Sequence, residues 1–240
     1  MRLELEITHR CNKHCEACSH RISTSAFDYL TLEEYRYLSC CIQNRSMIDG
    51  LRILGGEPLM HPQFEELMHL ILSDFLGRDI KVWTNGKLLD SLPVGLRAKL
   101  SYLLSIYPGW NDEAVAKYGK QKNVRLVPCG NFWDPRADPN LSEADAKNSW
   151  SKCSTRMVRV VGLNLFGCCL ADGVERTFLS EPVHVKFSRT WYEDWNNLRT
   201  WKACQHCFRA AHIHKYGSMS APREVFHNHK FGGNNEKDNC

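Results

Sequence analysis

"LELEITHRCNKHCEACSH", residues 3 to 20, joins the two patterns that decide how this chain is read. Its first six residues alternate apolar and polar, the period of a strand with two unlike faces. Three cysteines follow directly: Cys11, Cys15 and Cys18, with three and then two residues between them. A disulfide takes two thiols and a structural zinc site four ligands, so an odd number within eight residues suits neither. Three thiolates do hold three corners of a cubane iron–sulfur cluster, leaving one iron open to a small molecule.

Outward from this stretch, strand-like and helical runs take turns. "LTLEEYRYLSCCIQ" (30–43) opens with a threonine cap and glutamates, then repeats apolar residues at helical spacing. "GLRIL" (50–54) reads as a strand, and "HPQFEELMHLILSDF" (61–75) as an amphipathic helix with proline in its tolerant first turn. "DIKVW" (79–83) is the next strand, followed by a mostly helical stretch over 91–103 and the strand "LLSIY" (103–107). A short helix near 111–119 leads to "VRLVPC" (124–129). The order βαβαβαβαβ predicts an α/β fold with a parallel sheet and right-handed crossovers.

Residues 130–148, "GNFWDPRADPNLSEADAKN", are polar and bear prolines, and read as a long loop with one helical turn. "MVRVVGLNLFGCC" (157–169) reads as a hairpin turning at Gly162 to Asn164, and "RTWYEDWNNLRTW" (189–201) as a helix. From about residue 215 the composition shifts to Gly, Asn, His and Lys, a frayed tail. No internal repeat is present.

The bulk properties narrow the class. A chain of 240 residues, 43% hydrophobic and 24% charged, can bury a core. The net charge of +4 lacks the concentrated basic stripe of a nucleic-acid binder. No apolar run reaches the roughly 18 residues of a membrane span. The N-terminus has a strand pattern rather than an export signal, so the expected location is a reducing cytoplasm where thiols persist. Twelve cysteines there point to metal or iron–sulfur binding. Cys40 and Cys41 read as small apolar fillers.

In a parallel β/α barrel the loops after the strands share the face that carries the active site. After the first strand comes the cysteine triplet, after the second "GGEP" (55–58), and after the third "TNG" (84–86). Ser105 and Tyr107 close the fourth strand and Cys129 the fifth. On these residues, the CxxxCxxC spacing followed by GGEP, the chain resembles the radical S-adenosylmethionine (SAM) enzymes. The resemblance implies a partial parallel (β/α) barrel over residues 1–130. It also implies a 4Fe–4S cluster on Cys11, Cys15 and Cys18, with SAM chelating its open iron. Reductive cleavage of SAM then gives a 5′-deoxyadenosyl radical that abstracts hydrogen from substrate. Gly55, Gly56, Glu57 and Pro58 correspond to the turn that receives the methionyl amine. Ser105 matches a position that bonds ribose or carboxylate. Asn85 is a further cofactor candidate, although Asn-Gly is also an ordinary turn. Ala17 stands where that family usually has an aromatic, so either His20 compensates or the adenine is held otherwise.

Cys153, Cys168 (or Cys169), Cys204 and Cys207 form a second set across the hairpin and a helix end. Their order is similar to the short "twitch" auxiliary-cluster domains, which implies a second 4Fe–4S cluster in a small C-terminal hairpin-plus-helix domain over 153–215. Residues 131–152 connect the two units and 216–240 form the tail. Zinc is the alternative, on the same four thiolates or on Cys204 and Cys207 with His212 and His214. Cys129 is a catalytic candidate able to donate a hydrogen atom or proton, or a buried barrel cysteine. Asp134, Arg136 and Asp138 either bind a polar substrate or solvate their loop. Trp133, Trp191 and Trp195 read as core. Size and cysteine order look like the 2-deoxy-scyllo-inosamine dehydrogenase type, which implies oxidation of a carbinol in a small polar molecule. Modification of a peptide or protein is the other enzymatic reading, and a non-catalytic iron–sulfur or zinc protein the reading outside enzymes. The radical reading also requires a reducing partner such as a flavodoxin or ferredoxin.

Overall fold

The computed structural model describes residues 1–15, 18, 20–129, 138–154 and 156–216. The alternating N-terminal run is β1 (Arg2–Thr8), and it lies inside the sheet rather than at its edge. Thr31 and Glu34 form the expected capping box of α1 (Leu32–Cys41). Cys41 is buried there but Cys40 is exposed, so only one of the pair is a core filler. The chain continues through β2 (Gly50–Gly55), α2 (Phe64–Asp74), β3 (Asp79–Thr84) and α3 (Val94–Lys99). β4 (Ser101–Ile106), α4 (Asp112–Tyr118) and β5 (Val124–Pro128) complete the first half. β1 to β5 pair in parallel, each beside the next, as the alternating order predicts.

The expected loop over 130–148 departs from the structure. Its second half is the start of a ten-residue helix, α5 (Glu143–Lys152), which Ser142 caps by accepting from the Asp145 amide. The prolines lie ahead of that cap, and Ala146 and Ser149 are fully buried on the inner face of the helix. Burial of small residues, which carries little hydrophobic periodicity, holds this helix in place.

After α5 the chain crosses to the other side of β1. There β6 (Arg156–Val161) pairs in parallel with β1, and β7 (Asn164–Cys168) returns antiparallel as the expected hairpin. The order is β5-β4-β3-β2-β1-β6-β7-β8, where β8 is Val185–Lys186. Six parallel strands thus form one open sheet that runs across residues 130–153. Among the described residues nothing pairs its two edge strands, so the barrel is partial.

A helix not anticipated from sequence, α6 (Ala171–Phe178), follows β7. The expected helix over 189–201 is two: α7 (Trp191–Asn197) and α8 (Trp201–Cys204). The break seats Thr200 against Gly167, where a Cβ would lie 2.5 Å from the Thr200 hydroxyl. α9 (Phe208–Tyr216) closes the described chain. Trp191 is buried, as expected of a core residue, and Trp195 packs beside it. Ala17, Trp133, Asp134, Arg136 and nearly all of the expected tail lie outside the described residues.

Candidate functional site

Alternation along the strands builds the site. Leu3, Leu5, Ile7, Ile53, Val82 and Leu104 face the helices and form the main core. The intervening side chains, including Glu4, Arg52, Trp83, Ser105 and Arg159, turn to the concave side and line a cavity of ≈ 330 Å³. Cys11, Cys15 and Cys18 lie on its wall, with Gly55, Gly56, Asn85, Ser105 and Cys129. Every strand end singled out in the sequence therefore contributes to one cavity. Burial pushes the Cys11 thiol up to about 11 and raises Cys15, a cost that a bound metal removes by displacing the protons. His14, the imidazole inside the loop, is exposed. His20 lines the cavity, and its Nδ1 lies 2.5 Å from Glu6 Oε1. Three thiols from one short loop fit a cluster with one open iron, and Cys129 of the β5 end is a fourth thiol on the same cavity.

The GGEP turn is sewn to the cysteine loop. The Gly56 amide donates to the Thr8 carbonyl and the Glu57 amide to the Arg10 carbonyl, both at 2.8 Å. A Cβ on Gly55, whose φ is +156°, would stand 2.0 Å from the Thr8 oxygen, and one on Gly56 2.4 Å from the Arg10 oxygen. The glycines thus admit the neighbouring backbone that leads into the triplet.

The Glu57 and Pro58 side chains do not line the cavity, whereas Gly55 and Gly56 of the same turn do. The Glu57 carboxylate accepts from the Thr84 hydroxyl (2.6 Å), the Asn85 amide (2.8 Å) and the Leu59 amide (3.2 Å). It is fully buried and ties the end of β2 to the end of β3. Burial pushes its carboxyl up to about 7, against those three bonds, which favour the ionised form. Glu57→Gln keeps the shape but turns an NH₂ group toward donors. We expect it to lower unfolding stability by about 1–3 kcal/mol, read as a shift in denaturant midpoint at constant slope.

Asn85 reaches the triplet loop directly, its Nδ2 donating to Asn12 Oδ1 at 2.8 Å. Ser105 accepts from Trp83 Nε1 at 2.8 Å at the cavity wall. Cys129 is partly exposed into the same cavity, near Tyr107 and Cys15, rather than closed into the barrel core. Asp138 stands apart from the cavity, paired with His206 at 2.8 Å.

The second thiol set also converges. β7 runs back along β6, so Cys168 pairs with Arg156 near the beginning of β1, while the triplet leaves the end of β1. Cys153, at the C-cap of α5, lies close enough to Cys204 to act on it electrostatically, as do Cys168 and Cys207 on each other. Burial pushes Cys207 up to about 11 and raises Cys204 further. The Cys168 thiol donates to Cys169, which is drawn down to about 6 by that bond together with Arg209 and Arg159. Cys169, not Cys168, lines the cavity. His214 is exposed and pairs with Asp145 at 3.3 Å, whereas His212 is buried on α9.

Sequence reasoning missed the buried charges. Arg159 is 1% exposed; it donates to Glu4 Oε2 at 3.1 Å and to Glu6, and Glu4 Oε1 accepts from Arg52 at 3.2 Å. Burial raises the Glu6 carboxyl, but Arg159 and His20 outweigh it and hold the group well below the usual carboxylate range. Arg176 of α6 donates to the His20 and Arg21 carbonyls at 2.8 and 2.9 Å, gripping the segment that leaves the triplet. The polar alternation of β1 was the available signal for the glutamates. Nothing local marks the arginines.

A partial parallel barrel thus carries a three-cysteine loop on its concave side. The family described as "4Fe-4S single cluster domain" matches residues 2–101. GTP 3′,8-cyclase of Microcystis aeruginosa is 31% identical over 129 residues, covering 50% of this chain and 39% of that protein. The S-adenosylmethionine-dependent nucleotide dehydratase of Selenomonas ruminantium is 26% identical, covering 52% and 46%. The chain thus spans less than half the length of these relatives. The solved structure of BtrN in complex with AdoMet and 2-DOIA shares the fold over 89% of both chains, with a TM-score of 0.61 at 13% identity. Over part of its length the chain is thus similar to an iron–sulfur family and to an S-adenosylmethionine-dependent relative, and over most of it the chain shares the fold of a protein solved with AdoMet.

Proposed function

We propose that this chain is a radical SAM enzyme acting on a small polar molecule, with oxidation of a carbinol as its reaction. Cys11, Cys15 and Cys18 would hold the SAM-chelating cluster, and Cys153, Cys168, Cys204 and Cys207 a second one. The observation that carries the reading is a single cavity lined by the triplet and also by Cys169, beside the second set. In this reading residues 1–130 carry the SAM chemistry and 153–215 act as the twitch-like unit. Residues 131–152 connect them and 216–240 extend beyond. When bound, the clusters and SAM supply a 5′-deoxyadenosyl radical for hydrogen abstraction and an acceptor for the electron left once the hydroxyl proton departs.

The chain's own residues shape the site around that chemistry. Gly55 and Gly56 present backbone at the methionyl end, while Asn85 and Ser105 offer polar side chains along the β3 and β4 ends. Glu57 acts as a positioning residue through Thr84 and Asn85. Cys129 faces the space left for substrate and is our candidate for proton or hydrogen-atom exchange with it. A flavodoxin or ferredoxin would deliver the electron. Among the described residues no helix is long and apolar enough to cross a membrane.

The direct test is incubation of the reconstituted protein with SAM and dithionite. Formation of 5′-deoxyadenosine and methionine is expected, and their absence would leave a binding protein. Cys204→Ala separates the two metal readings of the second set. We expect about four irons to be lost with SAM cleavage retained. Loss of zinc at unchanged iron would assign that set to zinc.

A further inference from the structure

We propose that the substrate carries an anionic group, a carboxylate or phosphate, and that Arg209 is the residue that selects it. This rests on the reading of the cavity as the substrate site, and it names the class of molecule that site takes.

Charge along the cavity wall is the starting observation. Among the described residues four permanent cations line it, Lys13, Arg52, Arg159 and Arg209, against one carboxylate, Glu4. Arg52, Glu4, Arg159 and Glu6 form a continuous ion chain that neutralises itself. Lys13 is held over the rings of Tyr107 and Trp110, 5.2 and 4.4 Å from their centroids. Arg209 is different. No carboxylate among the described residues pairs with it, and its Nη1 donates to Cys169 Sγ at 3.8 Å.

The second observation concerns direction. The Nε–H groups of Arg52, Arg159 and Arg209 are buried without an acceptor, and all three residues face this cavity. The Arg45 Nε–H is also unpaired, but it lies outside the cavity near the Phe75 ring. A buried charged donor without an acceptor is costly, and a ligand oxyanion repairs several at once through bidentate guanidinium contacts. Arg209 follows the last cysteine of the second set by two residues, and it lies beside Cys169 on the cavity wall. A carboxylate or phosphate held there leaves the rest of a hydroxylated substrate extended toward the SAM end. A hydroxy acid or a phosphorylated polyol meets this geometry. A cationic aminocyclitol meets Arg209 with repulsion.

The test uses anaerobically reconstituted protein and calorimetric titration with citrate, with inorganic phosphate and with 2-deoxy-scyllo-inosamine, SAM being titrated separately. Wild type is expected to bind citrate or phosphate, and which of the two binds distinguishes the carboxylate from the phosphate source. Arg209→Met should weaken that binding at least tenfold, and Arg209→Lys should restore part of it, with SAM affinity unchanged in both. Three results would overturn the proposal while leaving the SAM site intact: no anion binding by wild type, equal binding by Arg209→Met, or tighter binding of the aminocyclitol. Loss of the second set's iron in both variants would also overturn it, by assigning Arg209 to that metal centre. Failure of SAM itself to bind would count instead against the underlying reading of the cavity.

Discussion

Replacing Cys11, Cys15 and Cys18 together by alanine is expected to abolish SAM cleavage and to remove about four of about eight irons from the reconstituted protein. The three thiols share one wall of the cavity, and the turn that meets them is bonded to the same loop at Thr8 and Arg10. Their removal takes away every thiolate on that side except Cys129, while the second set keeps its own four. The expected spectroscopic result is an EPR signal that shifts with SAM in wild type and not in the variant. Two other outcomes carry different meanings. About four irons in wild type and almost none in the variant would leave SAM cleavage standing without a second cluster, and the carbinol oxidation would lose its electron acceptor. Zinc in place of iron would remove the radical reading altogether.

Arg159→Met is expected to cost about 3–5 kcal/mol of unfolding free energy, the largest effect we expect from a single substitution outside the thiols. Arg159 is enclosed between β1 and the cavity and is the cationic partner of both Glu4 and Glu6. Its loss leaves Glu6, which is 0% exposed, with only histidine partners. The pH dependence follows with a definite sign. In wild type the Glu6 carboxyl lies well below its ordinary 4.5, so its contribution is present above that value and is lost as pH falls toward the lowered one. In Arg159→Met burial acts with little opposition and the same carboxyl rises above its unfolded value. The deficit of the variant should then be greatest near about pH 8 and should shrink as pH falls toward about 5. Denaturant unfolding of both proteins across that range measures it. A deficit independent of pH would mean that lost packing, not the uncompensated charge, carries the effect.

Much of this molecule was legible in its sequence, and for identifiable reasons. The five first strands, their alternation with helices and the hairpin over 157–169 follow from local periodicity, which depends only on a few neighbouring residues. The triplet spacing and the GGEP turn announced the site because both are constraints on contiguous backbone. Helix α5 escaped because its buried face is made of alanine and serine. Helix α6 escaped because Gly173 stands inside it, where it admits the His20 carbonyl 3.2 Å from a notional Cβ. The resemblance implies a cofactor role for the turn that holds Glu57, and only the tertiary structure shows that its carboxylate accepts from Thr84, Asn85 and Leu59.

By itself, then, the sequence determined the parallel order of the first strands, the cysteine sets and which strand ends meet on one face. Tertiary structure alone decided what the polar face of β1 does. An alternating strand commonly turns its charged side chains to water, but β6 crosses to the free side of β1 and encloses them. Glu4 and Glu6 are thereby buried against an arginine more than 150 positions away. The same cavity that the triplet lines also takes Cys169 and Arg209 from the far part of the chain. Such long-range pairings leave no local trace, because they depend on which distant segments the packed core brings together and not on the conformational preferences of any one segment.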